Sequence, residues 1–208
     1  TGLANDRRTL RIERGGDTFE IEARLVVAAD GARSIIREQA GVEAEHWEYG
    51  QTAIIATLTT QRFHDHVAYE RFTPDGPIAV LPLADGRCGI VWIRRPEEAA
   101  RLLALPDEEF LGELQAAFGY RLGRLLRVGT RYSYPLALSR SERHLAPRLA
   151  IVGNAAQSLH PIAGQGFNLG LRDAASLAEV IADALAAGRT DVGEEATLRA
   201  YASWRDED

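Results

Sequence analysis

Leu149-Ala150-Ile151-Val152-Gly153-Asn154-Ala155-Ala156-Gln157-Ser158-Leu159-His160-Pro161-Ile162-Ala163-Gly164-Gln165-Gly166-Phe167-Asn168-Leu169-Gly170 is the stretch that decides the fold. Its first four residues read as a short buried strand, and Gln157 to Gly164 as a loop. A helix is expected from about Gln165 to Ala187, because Leu169, Ala174, Leu177, Ala178, Ile181 and Leu185 keep the three-to-four spacing of one apolar face. Gly188 supplies a stop, and the rise per residue gives a length of roughly 33 Å. The start of such a helix offers free N–H groups and the positive end of its dipole, which favour an anion or a polar oxygen. Gly164, Gly166 and Gly170 lack a Cβ, so a ligand can approach the backbone closely. A Gly-rich strand-to-helix segment can also be mere connection. Here its length, its three glycines and the long helix behind it favour binding.

A second strand-to-glycine junction lies near the start of the chain. Arg7–Glu13 and Thr18–Ala23 read as a hairpin across Arg14-Gly15-Gly16-Asp17. Leu25-Val26-Val27-Ala28-Ala29 then reads as a strand buried on both faces, as in parallel α/β folds, and it stops at Asp30-Gly31. A short helix is expected over Ser34–Ala40, ended by Gly41. Between the two junctions the character changes. Gln51–Thr60, Val67–Phe72, Pro77–Pro82, Arg87–Arg94 and Leu125–Leu136 read as strands parted by turn signals, with a helix over Pro106–Phe118. The expectation is an α/β domain in two pieces, residues 1–45 and 147–208, interrupted by a mostly antiparallel, α+β block over residues 46–146.

Composition narrows the function classes. With 46% hydrophobic and 26% charged residues, the 208-residue chain has the make-up of a soluble globular protein. No apolar run approaches the roughly 20 residues that span a bilayer. Every one of the 24 basic residues is Arg, none runs interleaved with aromatics, and the net charge is -6, which disfavours nucleic acid as a partner. A single cysteine, Cys88, excludes an intrachain disulfide and fits a reducing compartment, hence the cytoplasm. In Gly86-Arg87-Cys88-Gly89-Ile90-Val91-Trp92 it reads as a small buried thiol. No metal site is read.

Two of these segments carry a family resemblance. Gly153 to Gly170 resembles the second FAD-binding motif of the class A flavin-dependent aromatic hydroxylases, the para-hydroxybenzoate hydroxylase type. Ala28-Ala29-Asp30-Gly31-Ala32-Arg33-Ser34-Ile35-Ile36-Arg37 resembles the Asp-Gly motif of the same superfamily. Gly-Asn-Ala-Ala-Gln followed by Leu-His-Pro-Ile-Ala-Gly-Gln-Gly-Phe-Asn-Leu-Gly is similar to the ubiquinone-biosynthesis branch. The resemblance implies an FAD/NAD(P)-binding, para-hydroxybenzoate-hydroxylase-like fold with an inserted substrate sheet. It implies FAD as cofactor, NADPH or NADH as co-substrate, and hydroxylation of a polyprenyl phenol with dioxygen. It implies cofactor contacts at Asp30, Gly31, Gly153, Asn154, Pro161, Gly164, Gln165, Gly166 and Asn168. Asn154 departs from the superfamily, which mostly has Asp there. An amide can still bond a ribityl hydroxyl. Association with other ubiquinone-biosynthesis proteins or with the inner-membrane surface is a further implication.

No catalytic residue is assigned. His160 reads either as a loop residue shaping the turn before Pro161 or as a base, Asp173 either as a dipole-compatible helix residue or as a group near the flavin, and Arg33 and Arg37 either as phosphate ligands or as solvated surface. The superfamily's Gly-x-Gly-x-x-Gly loop is missing and the chain has no Met, so an internal fragment is expected, one too incomplete to bind FAD tightly alone. A related FAD-dependent oxidoreductase with another aromatic or apolar substrate, or a cofactor-free scaffold, are the alternatives.

Overall fold

Two adjacent glycines shape the first element of the computed structural model, which describes residues 2–4, 6–160 and 164–206. Gly15 and Gly16 both have positive φ (61° and 91°), and Arg14 pairs with Asp17 across them. That is the geometry of a two-residue hairpin loop whose twist matches its strands. It joins β2 (Arg7–Arg14) to β3 (Asp17–Ala23), and β1 (Gly2–Ala4) completes an antiparallel three-stranded sheet.

The chain divides into two units, Thr1–Trp47 with Ala137–Asp208, and Glu48–Leu136. In the first, β4 (Val26–Ala28) leads to α1 (Ile35–Gln39), and β5 (Ala44–Thr60) carries the chain out. The second unit holds the rest of β5, then β6 (Tyr69–Arg71), β7 (Ile78–Pro82), β8 (Cys88–Arg94), α2 (Pro96–Ala104), α3 (Asp107–Phe118) and β9 (Leu125–Val128). β10 (Tyr132–Ser141) returns to the first unit, which ends with β11 (Leu145–Ala146), β12 (Leu149–Ile151), a 3-10 turn at Gly153–Ala155, β13 (Gln157–Ser158), α4 (Gln165–Ala186) and α5 (Glu195–Asp206).

In the second unit β5, β8, β7 and β6 lie in that order with β9 also on β5, every pair antiparallel. Alternation along the strands sends Ile54, Leu58, Ile78, Ile90 and Trp92 to one face, where they bury against Phe110 and Leu114 of α3 and Leu102 of α2. Cys88 is fully buried in this core, and burial pushes its thiol pKa up although a Thr60 contact opposes the shift. α2 is an element the sequence reading lacked.

The first unit is built on parallel pairing of β12 with β4, Ile151 opposite Ala28. β12 is buried on both faces: Leu149 and Ile151 pack with Val26, Ala28 and Val42, while Ala150 packs with Leu177, Leu198 and Tyr201. β4 is not, since Val27 is 41% exposed at the edge of this small sheet. The expected buried face of α4 is also corrected. The buried positions are Asp173, Ser176, Leu177, Val180 and Ala184, while Ala174 and Ala178 are exposed and Leu185 is 54% exposed. Hydrophobicity placed the stripe too far round because two of the inward residues are polar and find hydrogen bonds inside.

Candidate functional site

Because β4 and β12 run parallel and in step, both strands release their glycine-containing loops at the same edge of the sheet. The Val152 N–H donates to the Ala28 carbonyl at 3.0 Å, directly before Asp30-Gly31 on one strand and Gly153-Asn154 on the other. The structure thus brings together the two segments singled out in the sequence. Asp30 is exposed at the mouth of the first loop, with its carboxylate turned back on α1. It accepts from the Ser34 hydroxyl at 2.5 Å and from the Ile36 N–H at 3.3 Å. Burial pushes the Asp30 pKa up, but the Ser34 hydroxyl and nearby backbone N–H groups outweigh that and hold it below the ordinary carboxylate value. Ser34 in turn accepts from the Arg37 N–H as the N-cap of α1. Gly31, at φ 90°, makes the turn between strand and helix.

The second loop is held from both ends. Asp173, fully buried two turns into α4, accepts the Gly153 N–H at 2.6 Å and, on its other oxygen, the Arg205 Nε–H at 2.5 Å. At the far end of the turn the Arg37 guanidinium, 9% exposed, donates to the Ala155 carbonyl at 2.7 Å and to the Ala32 carbonyl at 3.3 Å. Arg37 is therefore neither a solvated surface residue nor free for a phosphate. Arg33 is exposed. Gly153 has φ 58°, and a Cβ on Gly170 would stand 3.4 Å from the Gly153 Cα, so the turn and α4 meet through two glycines. Tyr201 of α5 donates from its hydroxyl to the Ile151 carbonyl at 2.9 Å. Between the fixed ends, Asn154 is exposed.

The start of α4 is built differently. Gly164 is its N-cap in the left-handed region (φ 60°, ψ 16°), no side chain caps the helix, and no acidic residue stands in its first turn. Among the described residues nothing lies within 4 Å of where a Cβ on Gly164 or Gly166 would sit. Gln165 and Asn168 are exposed, and the Asn168 amide donates to the Gln165 side-chain oxygen at 3.4 Å. Uncapped N–H groups, the positive helix end and open space where side chains would otherwise stand form a cradle for an anionic or polar ligand. His160 is half-buried, and burial lowers its pKa, which favours the neutral ring. Pro161 lies outside the described residues.

Sequence reasoning named Asp173 but missed its burial and its pairing with Arg205, and it missed Tyr201 and the structural use of Arg37. One signal was present: Asp173 stands four residues after Leu169 and four before Leu177, on the inward stripe of the helix. An acid there demands a buried partner.

Residues 4–207 match the family described as FAD binding domain. The chain is 47% identical over 189 residues to the ubiquinone hydroxylase UbiL of Rhodospirillum rubrum, covering 91% of this chain and 44% of that protein. It is 35% identical over 175 residues to the 3-demethoxyubiquinol 3-hydroxylase of Escherichia coli, covering 84% and 44%. The p-nitrophenol 4-monooxygenase PnpA from Pseudomonas putida shares the fold, with a TM-score of 0.77 at 20% identity over 97% of this chain and 50% of that one. The chain spans about half the length of the curated relatives it matches.

Proposed function

Because this chain belongs to the FAD-binding-domain family, we propose that it supplies one half of the FAD site of a flavin-dependent monooxygenase that hydroxylates the ring of a polyprenyl phenol, a ubiquinone precursor, with NADPH or NADH and dioxygen. The observation that carries the reading is the uncapped, glycine-bounded start of α4, open where a Cβ would stand. The residues present suit the cofactor: Asp30 and Gly31 on one loop, Gly153 and Asn154 on the neighbouring turn, and Gly164, Gln165, Gly166 and Asn168 at the bend would hold it. When bound, FAD supplies the redox chemistry, taking electrons from the nicotinamide and passing them to dioxygen. The protein's own part is to bind and orient. Asn154 offers an amide to a ribityl hydroxyl. The first-turn N–H groups of α4 favour negative charge where a ligand meets the bend, without the reorganisation that water would need.

The Glu48–Leu136 unit suits the substrate. Its sheet has one face packed on helices. The other carries Ile55 (37% exposed) and Leu81 (43% exposed), with half-buried Val91 opposite Ile55. An apolar sheet face of this kind fits an aromatic ring bearing a prenyl tail. Among the described residues no helix is long and apolar enough to cross a membrane. A polyprenyl phenol is itself strongly apolar, and reading it as the substrate brings with it contact with a membrane surface or with other ubiquinone-biosynthesis proteins.

The test is to purify the intact gene product, record its flavin content, and ask whether octaprenyl phenols accelerate NAD(P)H oxidation with a matching hydroxylated product. Oxidation that yields only peroxide with every such phenol would remove the hydroxylase reading.

A further inference from the structure

Asn154 is the exposed middle residue of a three-residue turn whose ends are both fixed by buried charged side chains. Asp173 takes the Gly153 N–H at one end, and Arg37 takes the Ala155 carbonyl at the other. The Ala155 contact is buried and the Gly153 contact part-buried, and each spans a long stretch of chain: 20 residues from Gly153 to Asp173 and 118 from Arg37 to Ala155. A buried carboxylate is tolerated only when paired, and Asp173 is paired with Arg205, whose side chain is 1% exposed. α5 therefore acts on the turn through two steps, Arg205 to Asp173 and Asp173 to Gly153. Left to itself, a short turn led by a left-handed glycine samples several backbone states, because glycine pays little to leave any one of them. A side chain on such a turn meets its ligand at an entropic cost unless something else holds the turn.

We infer that Asp173, Arg205 and Arg37 are positioning residues that hold Asn154 ready for the cofactor, touching the turn and not the ligand. The inference rests on the reading of this edge of the sheet as the FAD site. Its signature is coupling. If the clamp works through Asn154, removing Asn154 and removing the clamp must overlap in their effect on FAD affinity, whereas a loss of general stability adds independently.

The experiment uses the intact gene product and FAD titration by flavin fluorescence. Hydrogen exchange is followed on the peptide covering residues 151–157, with and without FAD. The clamp variant is the neutral pair Asp173→Leu with Arg205→Met, which leaves no acceptor for the Gly153 N–H, or Arg37→Met at the other end of the turn should the pair not fold. Leu198→Ala, in the same α5 packing, serves as the stability control. The clamp variant is expected to weaken FAD binding about tenfold and to speed exchange of the turn in the absence of FAD, while Asn154→Ala added to it costs less than about twofold more. Leu198→Ala is expected to lower the melting temperature and leave FAD affinity within about twofold. Unchanged turn exchange in the clamp variant, or fully additive losses with Asn154→Ala, would overturn the inference. If FAD binds the wild type without protecting the 151–157 peptide, the placement of the site fails and the inference with it. If FAD protects that peptide and the clamp variant keeps full affinity, only the inference fails.

Discussion

The turn at Gly153–Ala155 and the bend at Gly164–Asn168 are parts of one segment, and each begins with a glycine in the left-handed region, at φ 58° and 60°. Yet their polar groups are treated in opposite ways. At the turn, backbone donor and acceptor are consumed by Asp173 and Arg37, both buried, and a second glycine presses against the first. At the bend, among the described residues, no side chain caps the helix and none stands within 4 Å of where a Cβ on Gly164 or Gly166 would sit. A group already satisfied within the fold contributes to the fold, whereas one left to water is available to a ligand. Substitutions at the turn should therefore be felt first as stability, and substitutions at the bend first as ligand affinity.

The strongest test of that contrast is Arg205→Met. It leaves the Asp173 carboxylate buried and unpaired, and breaking a buried pair from one side costs about 3–5 kcal/mol. Chemical denaturation should show a loss of that size, with part of it recovered when Asp173→Asn is added, because the double variant buries no charge. A single variant as stable as the wild type would mean that water reaches Asp173, and the turn would no longer count as the closed member of the comparison.

Next in size is a matched pair of glycine substitutions. Gly153→Ala and Gly164→Ala both force a Cβ into the left-handed region, at about 1–2 kcal/mol. The loss at Gly153 should be the larger, since Asp173 and Arg37 hold its turn and leave the backbone little room to relax, while among the described residues nothing stands near Gly164. FAD affinity should show the reverse order once the losses in stability are allowed for. Equal effects at the two positions in both measurements would erase the distinction between them.

Much of this contrast could not be read from the chain alone, and the reasons are particular. Strands and glycine junctions were legible because hydrophobic runs and turn residues are local signals: Leu149–Val152 gave β12, and Gln165–Ala187 gave α4 to within one residue at its end. α2 was not legible although Pro96-Glu97-Glu98 is a helix-start signal, because it has only nine residues and follows the apolar run of β8 after a single residue. The partners of Asp173 lie 20 and 32 residues away, and no local pattern announces them. In the second unit Ile54, Val80, Ile90 and Trp92 are in the core while Leu81 is 43% exposed, a division that depends on which face of the sheet the helices cover and so on contacts distant in the chain.

Tyr201 offers a smaller test on the closed side. Its hydroxyl bonds the Ile151 carbonyl just before the turn, so Tyr201→Phe should cost about 1 kcal/mol near neutral pH. Burial, and then the negative charge of Asp173, push its pKa up, with Arg205 opposing. A group whose folded-state pKa is raised contributes stability that is complete below the unfolded value, about 10 for tyrosine, and is lost as pH rises through the folded value. Unfolding free energies measured up to about pH 11 should therefore fall more steeply in the wild type than in Tyr201→Phe. Parallel curves would show that the hydroxyl is solvated.

The smallest expected change in stability falls on the open side, at Asn168. Among the described residues its amide reaches the Gln165 side chain alone, at 3.4 Å, near the long limit for a hydrogen bond, and the residue is exposed. Asn168→Ala also raises intrinsic helix propensity. The two effects oppose each other, and unfolding should move by less than about 0.5 kcal/mol in either direction. If the bend is the ligand-facing member of the pair, FAD affinity in the intact gene product should nevertheless fall several-fold, because a donor at the mouth of an uncapped helix is lost while the scaffold is untouched. Affinity that stays level alongside stability would make Asn168 ordinary helix surface and confine the open side to the backbone of Gly164 and Gly166.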